Sequence, residues 1–382
     1  MTDQAQGPWQ ALGLPPIVNA AGKMTYLGSS AVSVEVAEAM ADGARSYVEM
    51  AKLKNAAGRR VAELIGVPAA CIVSCAAAGI AQSVAATITG TDLALVEQVP
   101  CINVAKRDIV IQKPHAVNFG ASVTQMIRLG GGNVIEVGTA NRSYPYQLES
   151  ALGETTAAVV FVISHHTHPE TVVGLGETIS LAHAAGVKVV VDAAAETDLR
   201  KYADLGADLT VYSGHKAIGG PTSGIVMGET RLVEACTAQE YGVGRAMKVS
   251  KEAIAGVVCA LELFLAGKDA APTETLLACL DVVRASLGDG LPVAVSTVWD
   301  ATRPIPRLVI RVPENIGLTA AEVVDQLEHQ NPSIRTRNHG VAQGVISVDP
   351  RELTLDGAQI VGRALRQAFS STEEDSTGEH RK

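Results

Sequence analysis

Large aromatic rings are scarce in this sequence: 2 Trp, 7 Tyr and 4 Phe among 382 residues. A core built without them must rely on close helix–sheet contact, which the 36 glycines and many alanines permit. Paired-cysteine motifs are missing too. Cys71, Cys75, Cys101, Cys236, Cys259 and Cys279 form no C-x-x-C pair, and most sit in apolar runs. They read as buried free thiols in a reducing compartment, not as a disulfide framework. The opening MTDQAQGPWQ has neither a basic start nor an apolar signal core, and no stretch is apolar for long enough to span a bilayer. A cytoplasmic protein with no membrane partner is the expectation. Positive charge is in deficit, with a net charge of -9. That disfavours non-specific nucleic-acid binding but leaves room for a local cationic pocket around an anionic substrate.

What is present is an alternation of short apolar runs and helical stretches. The runs CIVSC, LALV, DIVIQ, NVIEVG, AAVVFVIS, KVVVDAA, LTVYSG and GIVMG read as strands separated by helices, hence a mostly parallel sheet covered on both faces. Helical spacing appears at 34–47 and 54–64, and 251–287 reads as one or two helices. From about Leu291, the runs LVIRV, SIRTRNHG and GVISVDP with a helix over 355–369 predict a small α+β domain. The expected organisation is an N-terminal arm and helix (1–50), a large domain (51–250), connecting helices with a small C-terminal domain (251–370), and a polar, disordered tail (371–382).

Ligands of open parallel sheets bind at the carboxyl ends of strands, so motifs that follow strands weigh most. Lys216 stands in LTVYSGHKAIGGPTSG, after a strand and before a glycine-rich turn. A lysine so placed projects into a cleft, and a desolvated amine there can form an imine with an aldehyde cofactor. A phosphate-binding Walker loop is excluded, because Lys216 precedes its glycines and Ala217 follows it. Asp192 ends the run VKVVVD, 216 − 192 = 24 residues earlier, room for one helix and one strand. A pyridoxal phosphate (PLP) ring needs an acid at its pyridine nitrogen, and a neighbouring strand end would supply it. SCAAAGIAQS places Ala76, Ala77 and Ala78 at the start of a small-residue helix whose free N–H groups suit a phosphate. Ser213 and His215 flank the lysine and can add hydrogen bonds to the same phosphate.

Three segments resemble bacterial selenocysteine synthase and its shorter relatives: EVGTANR (136–142), VDAAAE (191–196) and SGHKAIGGPTSG (213–224). The segments PPIVNAAGKMTYLGSS and GRAMKVSKE resemble more narrowly the relatives that include D-glucosaminate-6-phosphate ammonia-lyase. The resemblance spans about residues 12–365 and implies the aspartate-aminotransferase-like PLP fold type I. It makes Lys216 the Schiff-base lysine, Asp192 the pyridine-nitrogen partner and Ala76–Ala78 the phosphate-binding helix start. It also implies a homodimer or a multiple of dimers. A tRNA substrate is not expected. The chain lacks the extra N-terminal region of the synthase, is acidic, and has Lys113–Pro114–His115 where the synthase has Arg-Gly-Glu.

His115, just after DIVIQ, is placed to stack on the cofactor ring or donate to the substrate. Arg245 and Lys248 in GVGRAMKVSKE, Arg142 after NVIEVG, and Arg335 in SIRTRNHG are candidate binders of a substrate carboxylate or phosphate. Arg337, in the last of these runs, is a candidate for the same purpose, and His339 there reads as a cap to the run. His165, His166 and His168 are clustered, but no second set of ligand residues accompanies them, so no metal is expected. The leading reaction is loss of water and ammonia from a 2-amino-3-hydroxy acid, with D-glucosaminate 6-phosphate as the foremost substrate. A racemase, aldolase or β-replacement enzyme shares the same early carbanion. A seryl-tRNA selenium transferase is the remote alternative.

Overall fold

The computed structural model describes residues 8–164, 169–268, 271–300 and 305–377. It forms two compact units, residues 32–269 and residues 1–31 with 270–382. In chain order its elements are β1 (Ile17–Ala20), α1 (Val34–Arg45), α2 (Met50–Ile65), β2 (Ala69–Val73), α3 (Ala76–Thr89), α4 (Leu93–Val96), β3 (Asp108–Gln112), α5 (Val123–Leu129), β4 (Asn133–Val137), α6 (Pro145–Ser150), β5 (Thr156–Val162) and α7 (Leu175–Ala184). There follow β6 (Lys188–Asp192), α8 (Lys201–Asp204), β7 (Leu209–Ser213), β8 (Gly224–Gly228), α9 (Thr230–Ala238), α10 (Lys251–Leu265), α11 (Thr273–Leu287), β9 (Ala294–Trp299), β10 (Pro306–Arg311), α12 (Ala320–Glu328), β11 (Ser333–Thr336), β12 (Val345–Val348) and α13 (Leu355–Thr377). Helix α13 continues past the expected end at 369 through 371–377 of the expected disordered tail, and 378–382 lie outside the described residues.

Seven of the eight expected strands form one sheet of order β2-β8-β7-β6-β5-β3-β4. Only β8 runs against the others, pairing antiparallel with both β7 and β2. Every residue of β5, β7 and β8 is buried, as a sheet covered on both faces requires. The pleat splits the strands between two cores. Val159, Phe161, Val189, Val191 and Tyr212 face α2, α7 and α10, while Val160, Val162, Val190, Leu209 and Val211 face α3, α5 and α9. The eighth expected strand, LALV, is instead the helical turn α4. Asp92 caps it by accepting the Ala94 N–H at 2.9 Å. A four-residue apolar run has no periodicity to separate the two conformations, and the capping aspartate decides.

The second unit pairs β1 with β11 in parallel and builds an antiparallel sheet of order β12-β10-β9. Leu308 and Ile310 on β10 and Ile346 and Val348 on β12 join Leu280 and Val283 of α11 and Val361 and Leu365 of α13 in one core. Strands β1 and β9 were not anticipated; the six residues of β9 are all at least partly exposed, so the strand has no apolar alternation to reveal it. The cysteines divide. Cys236 and Cys279 are buried as expected, Cys71, Cys75 and Cys259 are half-buried, and Cys101 is exposed in a surface bend; all are free. Among the described residues no helix is long and apolar enough to cross a membrane.

Glycine lets α2 touch the sheet. A Cβ on Gly58 would fall 2.3 Å from the Ala70 carbonyl oxygen on β2. Gly58→Ala should therefore cost about 1–3 kcal/mol, the usual penalty of overpacking. Gly153 has nothing within 4 Å of its Cβ position, so Gly153→Ala should change stability by less than about 0.5 kcal/mol. Urea denaturation of the two variants checks this, and equal midpoints would refute the close contact.

Candidate active site

Strands β2, β3, β5, β6 and β7 all end on the same edge of the sheet, because they run in one direction. Asp192 is the last residue of β6 and pairs with Val162 on β5 and Val211 on β7. It is 6% exposed. Its Oδ1 accepts the Ala194 N–H at 3.1 Å. Burial pushes the carboxyl up to about 6, against the opposing pull of the Ala194 hydrogen bond and the Lys216 charge. With that value the group is mostly ionised at neutral pH, a buried carboxylate able to accept a hydrogen bond from a protonated ring nitrogen.

Lys216 lies half-buried in the hairpin loop 214–223 between β7 and β8. The loop closes on itself: Gly214 N–H donates to Ser223 O and Gly220 N–H to Gly214 O, both at 2.8 Å. Side chains are excluded there. A Cβ on Gly214 would meet Ser223 Oγ at 2.1 Å, and Gly219 has φ +72°. The glycine run thus fixes the lysine's base and is not a flexible tether. Ser213, buried at the end of β7, has its Oγ 3.4 Å from His215 Nδ1. Burial and the Lys216 charge push the His215 imidazole below its ordinary range.

Helix α3 starts at the same edge, after β2. Its first N–H groups have no partner within the helix. Cys75 Sγ accepts the Ala78 N–H at 3.4 Å. Gly224 lies so close that a Cβ would sit 2.6 Å from the Cys75 carbonyl carbon, and Gly79 is pressed against Val211 of β7 in the same manner. The start of α3 is thereby seated directly on the sheet.

His115 follows β3. It is 1% exposed, its ring meets Phe161 edge-on with centroids 4.3 Å apart, and its Nδ1 has no hydrogen-bond partner. Burial pushes its pKa down to about 4. An unpartnered, neutral imidazole nitrogen is thus held in the interior just past the end of β3. Sequence reading missed Gln112, which is fully buried. Its side chain donates to Val173 O at 3.0 Å and accepts the Val173 N–H at 2.7 Å and the Ser143 hydroxyl. These bonds tie the end of β3 to the loops after β4 and β5. A glutamine closing an otherwise apolar strand was the available signal.

The candidate anion binders are spread out. Arg245 and Lys248 lie exposed in and just after the 3-10 turn Val243–Met247. Arg142 is exposed and reaches the Tyr144 hydroxyl at 3.4 Å. Arg335 belongs to the other unit and pairs with Glu328. His165, His166 and His168 lie outside the described residues. Among the described residues no group of three metal-ligating side chains occurs.

A depressed imidazole pKa favours the neutral ring in the folded state. Its stabilising contribution is complete above the unfolded value of 6.5 and is lost as pH falls towards 4. Between pH 8 and pH 5 this group should remove about 2 kcal/mol of stability. His115→Gln should lack that loss, as read by urea denaturation at the two pH values. An identical pH dependence in both proteins would show that His115 is not buried neutral.

Comparison with known proteins places this geometry. The chain is 39% identical over 360 residues to D-glucosaminate-6-phosphate ammonia lyase of Salmonella typhimurium, covering 94% of this chain and 97% of the relative. It is equally 39% identical, over 365 residues, to a 5'-C-glycyluridine monooxygenase-decarboxylase of a Streptomyces species, covering 94% and 91%. A solved structure of D-glucosaminate-6-phosphate ammonia-lyase superposes with a TM-score of 0.90 at 38% identity, over 96% of this chain and 98% of that one. The fold is the aspartate-aminotransferase-like fold type I. Residues 17–287 match the model of the family described as SelA, L-seryl-tRNA selenium transferase. With its strand-end aspartate, its glycine-locked lysine and this match over most of its length, the chain belongs to the SelA family.

Proposed function

We propose that this chain is a pyridoxal-phosphate-dependent ammonia-lyase acting on a phosphorylated 2-amino-3-hydroxy sugar acid, D-glucosaminate 6-phosphate foremost. The observation that carries the reading is Asp192 and Lys216 standing at adjacent strand ends in a chain 39% identical, nearly end to end, to the lyase. Lys216 Nζ would hold the cofactor's aldehyde carbon, Asp192 its ring nitrogen, and Ala76–Ala78 with Ser213 and His215 its phosphate. Bound there, pyridoxal phosphate supplies an electron sink for charge developing at the substrate's Cα.

The protein's own groups do the rest. Lys216 Nζ, once freed by the substrate amine, takes the Cα proton. Asp192 keeps a proton at the ring nitrogen. Lys216 or His115 returns a proton to the departing 3-hydroxyl. His115 is neutral at pH 7 and so can donate only its single ring proton. Arg245 and Lys248 hold the substrate's phosphate or carboxylate, the guanidinium as a two-pronged donor. The released enamine hydrolyses to a 2-keto-3-deoxy acid and ammonia. A homodimer accompanies this reading, because the glycine run Gly219–Gly220 resembles segments that complete a neighbouring copy's site.

A second reading is supported by the equal identity to the monooxygenase-decarboxylase. The same lysine and aspartate then serve loss of the substrate carboxylate with consumption of oxygen. One panel separates the two: D-glucosaminate 6-phosphate, its unphosphorylated form, hydroxy-amino acids and a glycyl nucleoside, assayed for ammonia, keto acid, carbon dioxide and oxygen uptake. Ammonia and keto acid without oxygen uptake support the lyase; oxygen-dependent carbon dioxide release overturns it.

Purified protein should absorb near the visible–ultraviolet border, and Lys216→Ala should lose that band and all turnover. Asp192→Asn should keep bound cofactor but lose most of its turnover. A colourless protein that takes up no added pyridoxal phosphate would end the proposal. Arg245→Ala should raise KM roughly ten- to a hundred-fold, the loss of one charge-assisted hydrogen bond of about 1.5–3 kcal/mol. Arg245→Lys should recover part of it, and unchanged kinetics in Arg245→Ala would make the residue a solvated charge only.

A further inference from the structure

The unit of residues 1–31 and 270–382 concentrates arginine on one face of its antiparallel sheet. Leu308 and Ile310 of β10 point into the core with α11, so Arg307 and Val309 point the other way. Ser347 on β12 pairs with Val309 and stands on the same outer face. Arg337, just after β11, forms a bridge with Ser347 through two backbone hydrogen bonds, Arg337 N–H to Ser347 O at 2.9 Å and the reverse at 3.2 Å. Residues paired in this way carry their side chains on one side. Arg307, Arg337, Ser347, Trp299 and His339 line a cavity of about 130 Å³ on that face.

Asp349 is fully buried and is held by Arg351 through Nε at 2.9 Å and Nη2 at 2.8 Å, and by Arg307 Nε at 3.1 Å. Arg307 Nη1 also meets Asp300 at 2.7 Å. Arg307 and Arg351 thus share these two carboxylates, and among the described residues Arg337 is ion-paired with neither. Among the described residues its guanidinium has a single acceptor, Met24 Sδ at 3.9 Å, a weak one. Burial and the charges of Arg307 and Arg351 outweigh the opposing pull of Asp349 and Asp300, and its pKa is lowered in consequence. A half-buried guanidinium beside a hydroxyl and a small cavity is stabilised by an anion more than by water.

We propose that Arg337, with Arg307 and Ser347, is a binding site for one oxyanion, a phosphate or carboxylate. The oxygens are taken by the Arg337 fork, while Ser347 donates its hydroxyl. Two sources share this chemistry: the anionic group of the substrate, which rests on the function proposed above, and a separate anion such as inorganic phosphate.

Protein loaded with pyridoxal phosphate, so that the cofactor's own phosphate site is filled, is titrated with inorganic phosphate at constant ionic strength by calorimetry. Phenylglyoxal labelling of Arg337 is read in parallel by peptide mass. Saturable binding is expected, with Arg337 protected from labelling. Arg337→Ala should weaken binding at least ten-fold, and Arg337→Lys by less. Ser347→Ala keeps every charge and should weaken it by a smaller factor, which guards against a folding defect in the arginine variants. Absence of saturable binding at millimolar phosphate, or wild-type binding by Arg337→Ala, overturns the site. A further arm assigns the source. A KM rise confined to phosphorylated substrate in Arg337→Ala identifies the substrate's phosphate, and an equal rise with and without phosphate its carboxylate. Unchanged KM with lost phosphate binding identifies a separate anion. If no amino-sugar acid is turned over at all, the lyase reading fails while the phosphate titration still decides the site.

Discussion

One buried carboxylate governs the arrangement of the larger unit. Asp192 closes a strand of valines between two other buried strands, where a charge has almost no water to stabilise it. It persists because Ala194 donates an N–H and because Lys216 stands near enough to be felt. The lysine in turn is held by a loop that only glycine can form. Remove the sheet's double cover and the carboxylate becomes an ordinary solvated aspartate. Burial thus acts as a constraint on chemistry, keeping a proton shared between acid and ligand and not surrendered to solvent.

The neutral imidazole of His115 follows from the same burial. Asp192 and His115 are pushed in opposite directions, the acid up and the base down, since each is deprived of its charged form. With its carboxyl near 6, Asp192 is still mostly ionised at neutral pH, whereas His115 carries no charge. Arg142, Arg245 and Lys248, by contrast, are exposed and keep their charges in water.

Much of this was legible in the residues. Seven strands were readable as apolar runs bounded by turn residues, fully buried in β5, β7 and β8, and the strand-end positions of Asp192 and Lys216 followed from those runs. LALV was not readable, since four residues carry no period and the decision lay with one capping side chain. β9 escaped because its residues are all at least partly exposed, and β1 because four residues pair with a strand more than 300 positions away. Arg335 and Arg337 look alike in SIRTRNHG, two positions apart. Only the fold separates them, giving one a carboxylate partner in Glu328 and the other, among the described residues, no ion pair. The Gln112 bonds likewise depend on loops distant in sequence.

The single antiparallel strand of the main sheet has a consequence of its own. Since β8 returns beside β7, the lysine rides on a hairpin whose two ends are anchored in neighbouring strands. The tip is packed as well: Cβ atoms on Gly214 and Gly220 would press on Val257 and Ala260 of α10, and Ile218 is buried. The reach of the lysine is therefore set from two sides, by the sheet through the stems and by α10 through the tip.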